Sequence, residues 1–165
     1  MAERAWIRGA RQGSVADLER LFREHWPRAY RAARLVTGDA AAAEDIAQEA
    51  FLAAIRNLDR FDRRRPFGPW LHRIVVNRAI DWSRARALRN EIEADETLEA
   101  RENGDAPPEL VARLAGLPPD QRAVVVLRHL LEYTPGEIAE LLGLPRGTVN
   151  SRLRRGLDAL RDDVR

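Results

Sequence analysis

Seven residues crowded into one short stretch carry groups suited to reading nucleic acid: Arg146, Thr148, Asn150, Ser151, Arg152, Arg154 and Arg155. Arginine forks and asparagine amides can pair with base edges, and hydroxyls and further arginines with phosphates. A second group combines Arg63, Arg64 and Arg65 with Phe61, Phe67 and Trp70, in a stretch broken by Pro66, Gly68 and Pro69. Rings stack on unpaired bases while guanidinium groups pair with phosphates, so this loop fits single-stranded nucleic acid. It equally fits solvated charge over buried aromatics. No nucleophile–base pairing, carboxylate dyad or phosphate loop stands out, so neither an enzyme nor a cofactor is expected. Cysteine is absent, which excludes disulfides and thiolate zinc sites. His25, His72 and His129 are too scattered in sequence to suggest a metal centre.

The first group is positioned by the stretch Thr134 to Arg155, which reads as a helix-turn-helix. Thr134 can cap a helix whose first position suits Pro135, with Glu137 closing a capping box. Ile138 and Leu142 give that helix an apolar face, and Ala139 is small where a second helix must cross. Gly143 can take the left-handed turn that ends it. Pro145 can open the second helix, which carries Val149, Leu153, Leu157 and Leu160 inward and the donors outward.

Charge is unevenly spread along the 165 residues, although the net value is only +2. Residues 1–90 carry 18 Arg against 11 acids, residues 91–109 carry 1 Arg against 8 acids, and residues 110–165 carry 9 Arg against 7 acids. All 28 basic residues are Arg, whose planar fork suits phosphates and whose face stacks on bases. There is no apolar run long enough to span a bilayer and no signal-peptide pattern, so a cytoplasmic protein is expected.

In chain order, a capping signal from Ser14 to Asp17 precedes a helical pattern of Val15, Leu18, Phe22, Ala29, Ala33 and Val36, in which Pro27 should kink or split the helix. Gly38 and Asp39 break it. A second helix, about Ala40 to Leu58, has a buried stripe of Ala43, Ala47, Ala50, Phe51, Ala54 and Leu58. It leaves Leu52 outside, beside Asp45, Gln48 and Glu49. That face is either plain solvated surface or a docking face for a basic partner. A third helix, about Trp70 to Arg89, buries Leu71, Ile74, Val75 and Ile80. Its outer side is basic, with Arg73, Asn77, Arg78, Arg84 and Arg86, and Trp82 fits core or base stacking. Residues 91–108 are acidic, low in large apolar residues and rich in proline at their end, as a linker would be. Leu110, Leu114 and Leu117 mark a short helix, and Val124, Leu127 and Leu131 line another over Asp120 to Leu131. The expected fold class is therefore all-α: a helical domain over 10–90, a flexible acidic linker over 91–108, and a four-helix domain over 109–165.

Taken together, four motifs resemble the small two-domain sigma factors of bacterial RNA polymerase, the extracytoplasmic-function (ECF) group: Ala43 to Phe61, Pro69 to Arg84, Leu117 to Leu130 and Glu137 to Arg161. The resemblance implies binding to core RNA polymerase and promoter DNA, recognition of the −35 and −10 elements, and promoter melting. Asp45, Gln48, Glu49 and Leu52 match the helix that docks on the clamp helices of the largest subunit. The flap is a further implied contact. Phe61 and Asn77 match a pocket for a base flipped from the −10 element, beside the loop of Arg63, Arg64 and Arg65. The helix from Arg146 to Arg155 matches the −35 reader, and an anti-sigma factor is an implied partner. The rival expectation is a helix-turn-helix regulator with an N-terminal sensing or dimerising domain, acting without polymerase. Exposed aromatics in the Phe61 to Trp70 loop would be superfluous for it, because duplex binding does not need them.

Overall fold

The computed structural model describes residues 2–92 and 106–162. Among these there are eight α-helices: α1 (Ala2–Arg11), α2 (Val15–Thr37), α3 (Ala40–Arg56), α4 (Phe67–Ile92), α5 (Pro108–Ala115), α6 (Pro119–Val125), α7 (Pro135–Leu142) and α8 (Arg146–Asp162). A 3₁₀ turn over Leu58–Arg60 follows α3, and a π-helical turn over Val126–Leu130 prolongs α6. Most of the acidic stretch expected as a linker, residues 93–105, lies outside the described residues.

Local chemistry sets the helix ends. The Ser14 hydroxyl accepts from the Asp17 amide, and Gly38 ends α2 at φ 71°. Asp39 caps α3 by accepting from the Ala42 amide at 2.9 Å. Pro27 does not split α2, which runs as one helix across it. Proline removes one N–H, but here it lies on the exposed side, where water can serve the carbonyl left over.

The α2 stripe also differs from the expected pattern. Leu21, Ala29, Ala32, Ala33, Leu35 and Val36 are buried, whereas Val15 is 79% and Phe22 40% exposed. Val15 occupies the first turn, and Phe22 sits at the core's edge, stacked on Trp26 with centroids 4.9 Å apart. α1 is an addition to the expected architecture. It starts well ahead of residue 10 and buries Ile7 and Ala10.

The core is continuous from Ile7 in α1 to Leu153 in α8. α4 packs on α2 and α3 and also on α6 and α7, so the N-terminal and C-terminal halves are packed together. Polar links reinforce the seam. Arg28 donates to the Leu131 carbonyl. The His72 Nδ1 lies 2.6 Å from the Tyr133 hydroxyl. Arg122 is the hub: its guanidinium donates to the carbonyls of Leu114 (2.9 Å), Leu117 (2.9 Å) and, across the seam, Val36 (2.5 Å). Those carbonyls lie at the C-terminal end of α5, just beyond it, and at the end of α2. Late helical carbonyls have no helical partner, and a cation there also meets the negative end of the helix dipole. Burial, and then the like charge of Arg86, lower the Arg122 pKa.

Candidate nucleic-acid interface

The helix-turn-helix forms as its residues dictate. Thr134 and Glu137 make the complete capping box, and Gly143 ends α7 in the left-handed conformation at φ 66°. The Leu144 amide donates back to the Ala139 carbonyl at 2.9 Å, which tightens the turn. Ile138, Leu141, Val149 and Leu153 are buried, with Leu141 deeper than the expected Leu142. Gly156 is buried where α8 crosses α6, and a Cβ there would stand 2.8 Å from a Val125 methyl. The close crossing fixes the angle at which α8 presents its outer face.

On that face Arg146, Asn150, Arg154 and Arg155 are exposed, while Thr148, Ser151 and Arg152 are half-buried. Arg152 is not unopposed, as its sequence position suggests. Its Nη1 lies 4.0 Å from the Asp120 carboxylate, which also accepts from Arg84 of α4. Asp120 thus joins the basic side of α4 to α8.

The loop between α3 and α4 divides its charges and its rings. Arg63, Arg64 and Arg65 are all exposed. Asp62 accepts from the Arg64 amide at 3.0 Å and from the Arg64 Nε at 3.1 Å. These bonds lower the Asp62 pKa and raise that of Arg64. Arg64 therefore helps shape the turn. Phe61 is only 5% exposed and lies 4.7 Å from Trp70 and 5.8 Å from Phe67, ring centre to ring centre. In this arrangement Phe61 and Phe67 support the loop from beneath. Trp82, half-buried, lies under the Arg86 guanidinium at 5.1 Å.

Sequence reading missed what holds this loop to the body. Arg11 of α1 donates to the Leu58 carbonyl at 2.9 Å and to the Phe61 carbonyl. Only the partners' positions in space reveal this, since they are 47 and 50 residues away. Asn77, the other residue matched to a base pocket, donates to the Arg73 carbonyl at 2.8 Å and reaches the Leu141 carbonyl at 3.5 Å. It is thus at the seam between the halves. On α3, Asp45, Gln48, Glu49 and Leu52 lie together on the exposed face, Leu52 at 52%. Glu49 pairs with Arg78 of α4 at 3.2 Å. Among the described residues, no helix is long and apolar enough to cross a membrane.

The family model of Sigma-70 region 2 matches residues 21–89, and that of Sigma-70 region 4 matches residues 109–160. The chain is 34% identical over 172 residues to the ECF RNA polymerase sigma factor SigW of Bacillus subtilis, covering 93% of this chain and 90% of SigW. It is 33% identical to the ECF RNA polymerase sigma factor SigL of Mycobacterium tuberculosis over 167 residues, covering 95% and 94%. The fold is similar to that of CnrH, solved in complex with the cytosolic domain of CnrY, with a TM-score of 0.74, 28% identity, and coverage of 99% of this chain and 97% of CnrH. With both sigma regions present in order and such relatives matched nearly end to end, the chain belongs to the ECF sigma factors of the sigma-70 family.

Proposed function

We infer that this chain is a sigma factor that binds core RNA polymerase, recognises the −35 and −10 promoter elements, and promotes melting and transcription initiation. The single observation that carries this is the order of the two sigma regions on a scaffold whose α8 turns Arg146, Asn150, Arg154 and Arg155 to solvent. A regulator acting without polymerase is not favoured, because it has no use for region 2. The protein acts in the cytoplasm and catalyses no covalent step itself.

Family membership supports the following residue roles. The outer face of α8, from Arg146 to Arg155, enters the major groove at the −35 element. There a good bidentate pair discriminates by ~1–3 kcal/mol. Arg63, Arg64 and Arg65 meet the phosphates of the separated −10 strand. Asn77 and Phe61 belong to the base pocket, Asn77 by its amide and Phe61 as the pocket's floor. A trapped base offsets an unstacking cost of a few kcal/mol, so opening becomes favourable at matching sequences. Asp45, Gln48, Glu49 and Leu52 dock on the clamp helices of the largest subunit, and the C-terminal half meets the flap. An anti-sigma factor is the remaining partner; the similar CnrH was captured with the cytosolic domain of CnrY.

The packed form of the chain is not the promoter-bound form. A packed chain of this length spans roughly 30–40 Å, whereas about 25 base pairs between elements is about 80 Å of duplex. Asn77 and Arg84 of α4 are also engaged across the seam, Asn77 with the Leu141 carbonyl and Arg84 with Asp120. Engagement with polymerase and promoter therefore draws the halves apart, exposing the Asn77 amide and releasing Asp120 from Arg84. Titration against purified core polymerase, followed by run-off transcription from a genomic promoter library, tests the reading. Promoter-specific transcripts that require both components support it. No complex with core enzyme at micromolar concentrations refutes it.

A further inference from the structure

A cavity of about 560 Å³ opens between α2 and the end of the π-helical turn, lined on the α2 side by Trp26, Arg28, Tyr30, Arg31 and Arg34 and on the other by Leu130 and Leu131. Three of its side chains are cationic, and no carboxylate lines it among the described residues. Arg28 is committed to the Leu131 carbonyl. Arg34 is different: the residue is only 9% exposed, and its Nε and Nη1 are buried without a hydrogen-bond partner among the described residues. A guanidinium so placed bears a desolvation cost with nothing to offset it. An oxyanion at this guanidinium supplies the acceptor it lacks, in charge-assisted hydrogen bonds stronger than neutral ones. The neighbouring wall is aromatic, with Trp26 and Tyr30 nearly parallel at 17° and 6.0 Å between centroids.

We propose that this cavity binds a small organic anion with a flat ring, an aromatic carboxylate or aromatic phosphate, its charged end on Arg34 and its ring against Trp26 and Tyr30. Arg31, exposed at the rim, adds a second cation to the charged end. The site is separate from the faces assigned to promoter and polymerase, and its test involves neither.

The full chain is titrated with benzoate and with phenyl phosphate, following tryptophan fluorescence and the thermal midpoint, with benzyl alcohol as the uncharged control. A ligand of this size should bind in the millimolar to high-micromolar range. The expected result is a saturable fluorescence change and a raised midpoint with at least one anion and not with benzyl alcohol. The tighter of the two anions assigns the carboxylate or the phosphate class. Arg34→Met should weaken binding about tenfold or more, because the bonds lost are to a charged group. Its midpoint without ligand should equal or exceed that of the wild type, since it removes a buried charge with unpaired donors. Arg31→Gln, on the exposed rim, should weaken binding less. No saturable change, equal binding of benzyl alcohol, or full binding by Arg34→Met would overturn the proposal. So would binding gained only when Glu102 and Asp105 are changed to Gln and Asn, because the cavity would then belong to the chain's own acids.

Discussion

Replacing Arg122 with Ala should be among the most damaging single changes outside the apolar core. Its guanidinium serves three carbonyls at 2.9 Å or less. They are not equally dependent on it. The Val36 carbonyl also accepts from the Ser83 hydroxyl at 3.2 Å and keeps that bond. The Leu114 carbonyl keeps the Leu117 amide at 3.0 Å, whereas the Leu117 carbonyl loses its donor in a buried setting, at about 1–3 kcal/mol. The favourable meeting of a cation with helix C-termini adds about 0.3–1 kcal/mol. A total loss of about 2–4 kcal/mol is expected, against a total stability of about 5–15 kcal/mol for a domain. Urea denaturation followed by helical circular dichroism reads this directly. With a slope of about 2 kcal/mol/M, the midpoint should fall by roughly 1–2 M. Arg122→Lys keeps the charge but not the fork and should recover only part of the loss. A fall in midpoint under about 0.5 M for Arg122→Ala would refute the assignment of Arg122 as the hub joining α2, α5 and α6.

Four further outcomes are expected. Burial, with the charges of Arg28 and His25 adding to it, holds the His72 pKa down at about 4, below the ordinary 6.5. The unfolded chain then binds more protons between these values, so stability is full above pH 6.5 and falls as pH drops towards 4, by about 3 kcal/mol in all. His72→Gln should flatten that slope in acid titrations of the unfolding free energy. Gly156→Ala should lose about 1 kcal/mol in thermal melts, because overpacking against Val125 outweighs the gain in helix propensity. Asn77→Ala should weaken promoter opening more than duplex binding. Permanganate footprints that weaken equally on linear and pre-melted templates would count against an opening-specific role. Changing Gln48 and Leu52 together should weaken holoenzyme formation in a polymerase pull-down without changing DNA contacts, and wild-type capture would reject the docking face.

What the sequence made legible is what is decided locally. The capping box at Thr134, the left-handed Gly143 and the buried alanine stripe of α3 each depend on neighbours within one or two turns. The family's motifs extended that reading to the order of the two regions. Long-range partnerships were not legible. Arg122 looks like any arginine on an amphipathic helix until Val36, 86 residues earlier, is placed against it. Asp120, an ordinary first-turn acid, proves to lie between Arg84 and Arg152. His72 and Tyr133 meet across the seam although 61 residues separate them. Phe22 and Val15 show the complementary limit: helical spacing marks a stripe, but not where the neighbouring helices stop covering it.

The Arg11 clasp gives α1 an influence out of proportion to its size. The region 2 match begins at residue 21, yet the backbone leading into the loop of Arg63, Arg64 and Arg65 is fastened to α1, upstream of that match. Relatives that differ only in this leading helix would hold the same arginines at a different tilt. On the strand-binding role proposed for these arginines, promoter preference can diverge through a residue that never meets a nucleotide, and swapping α1 between two such proteins would transplant part of that preference.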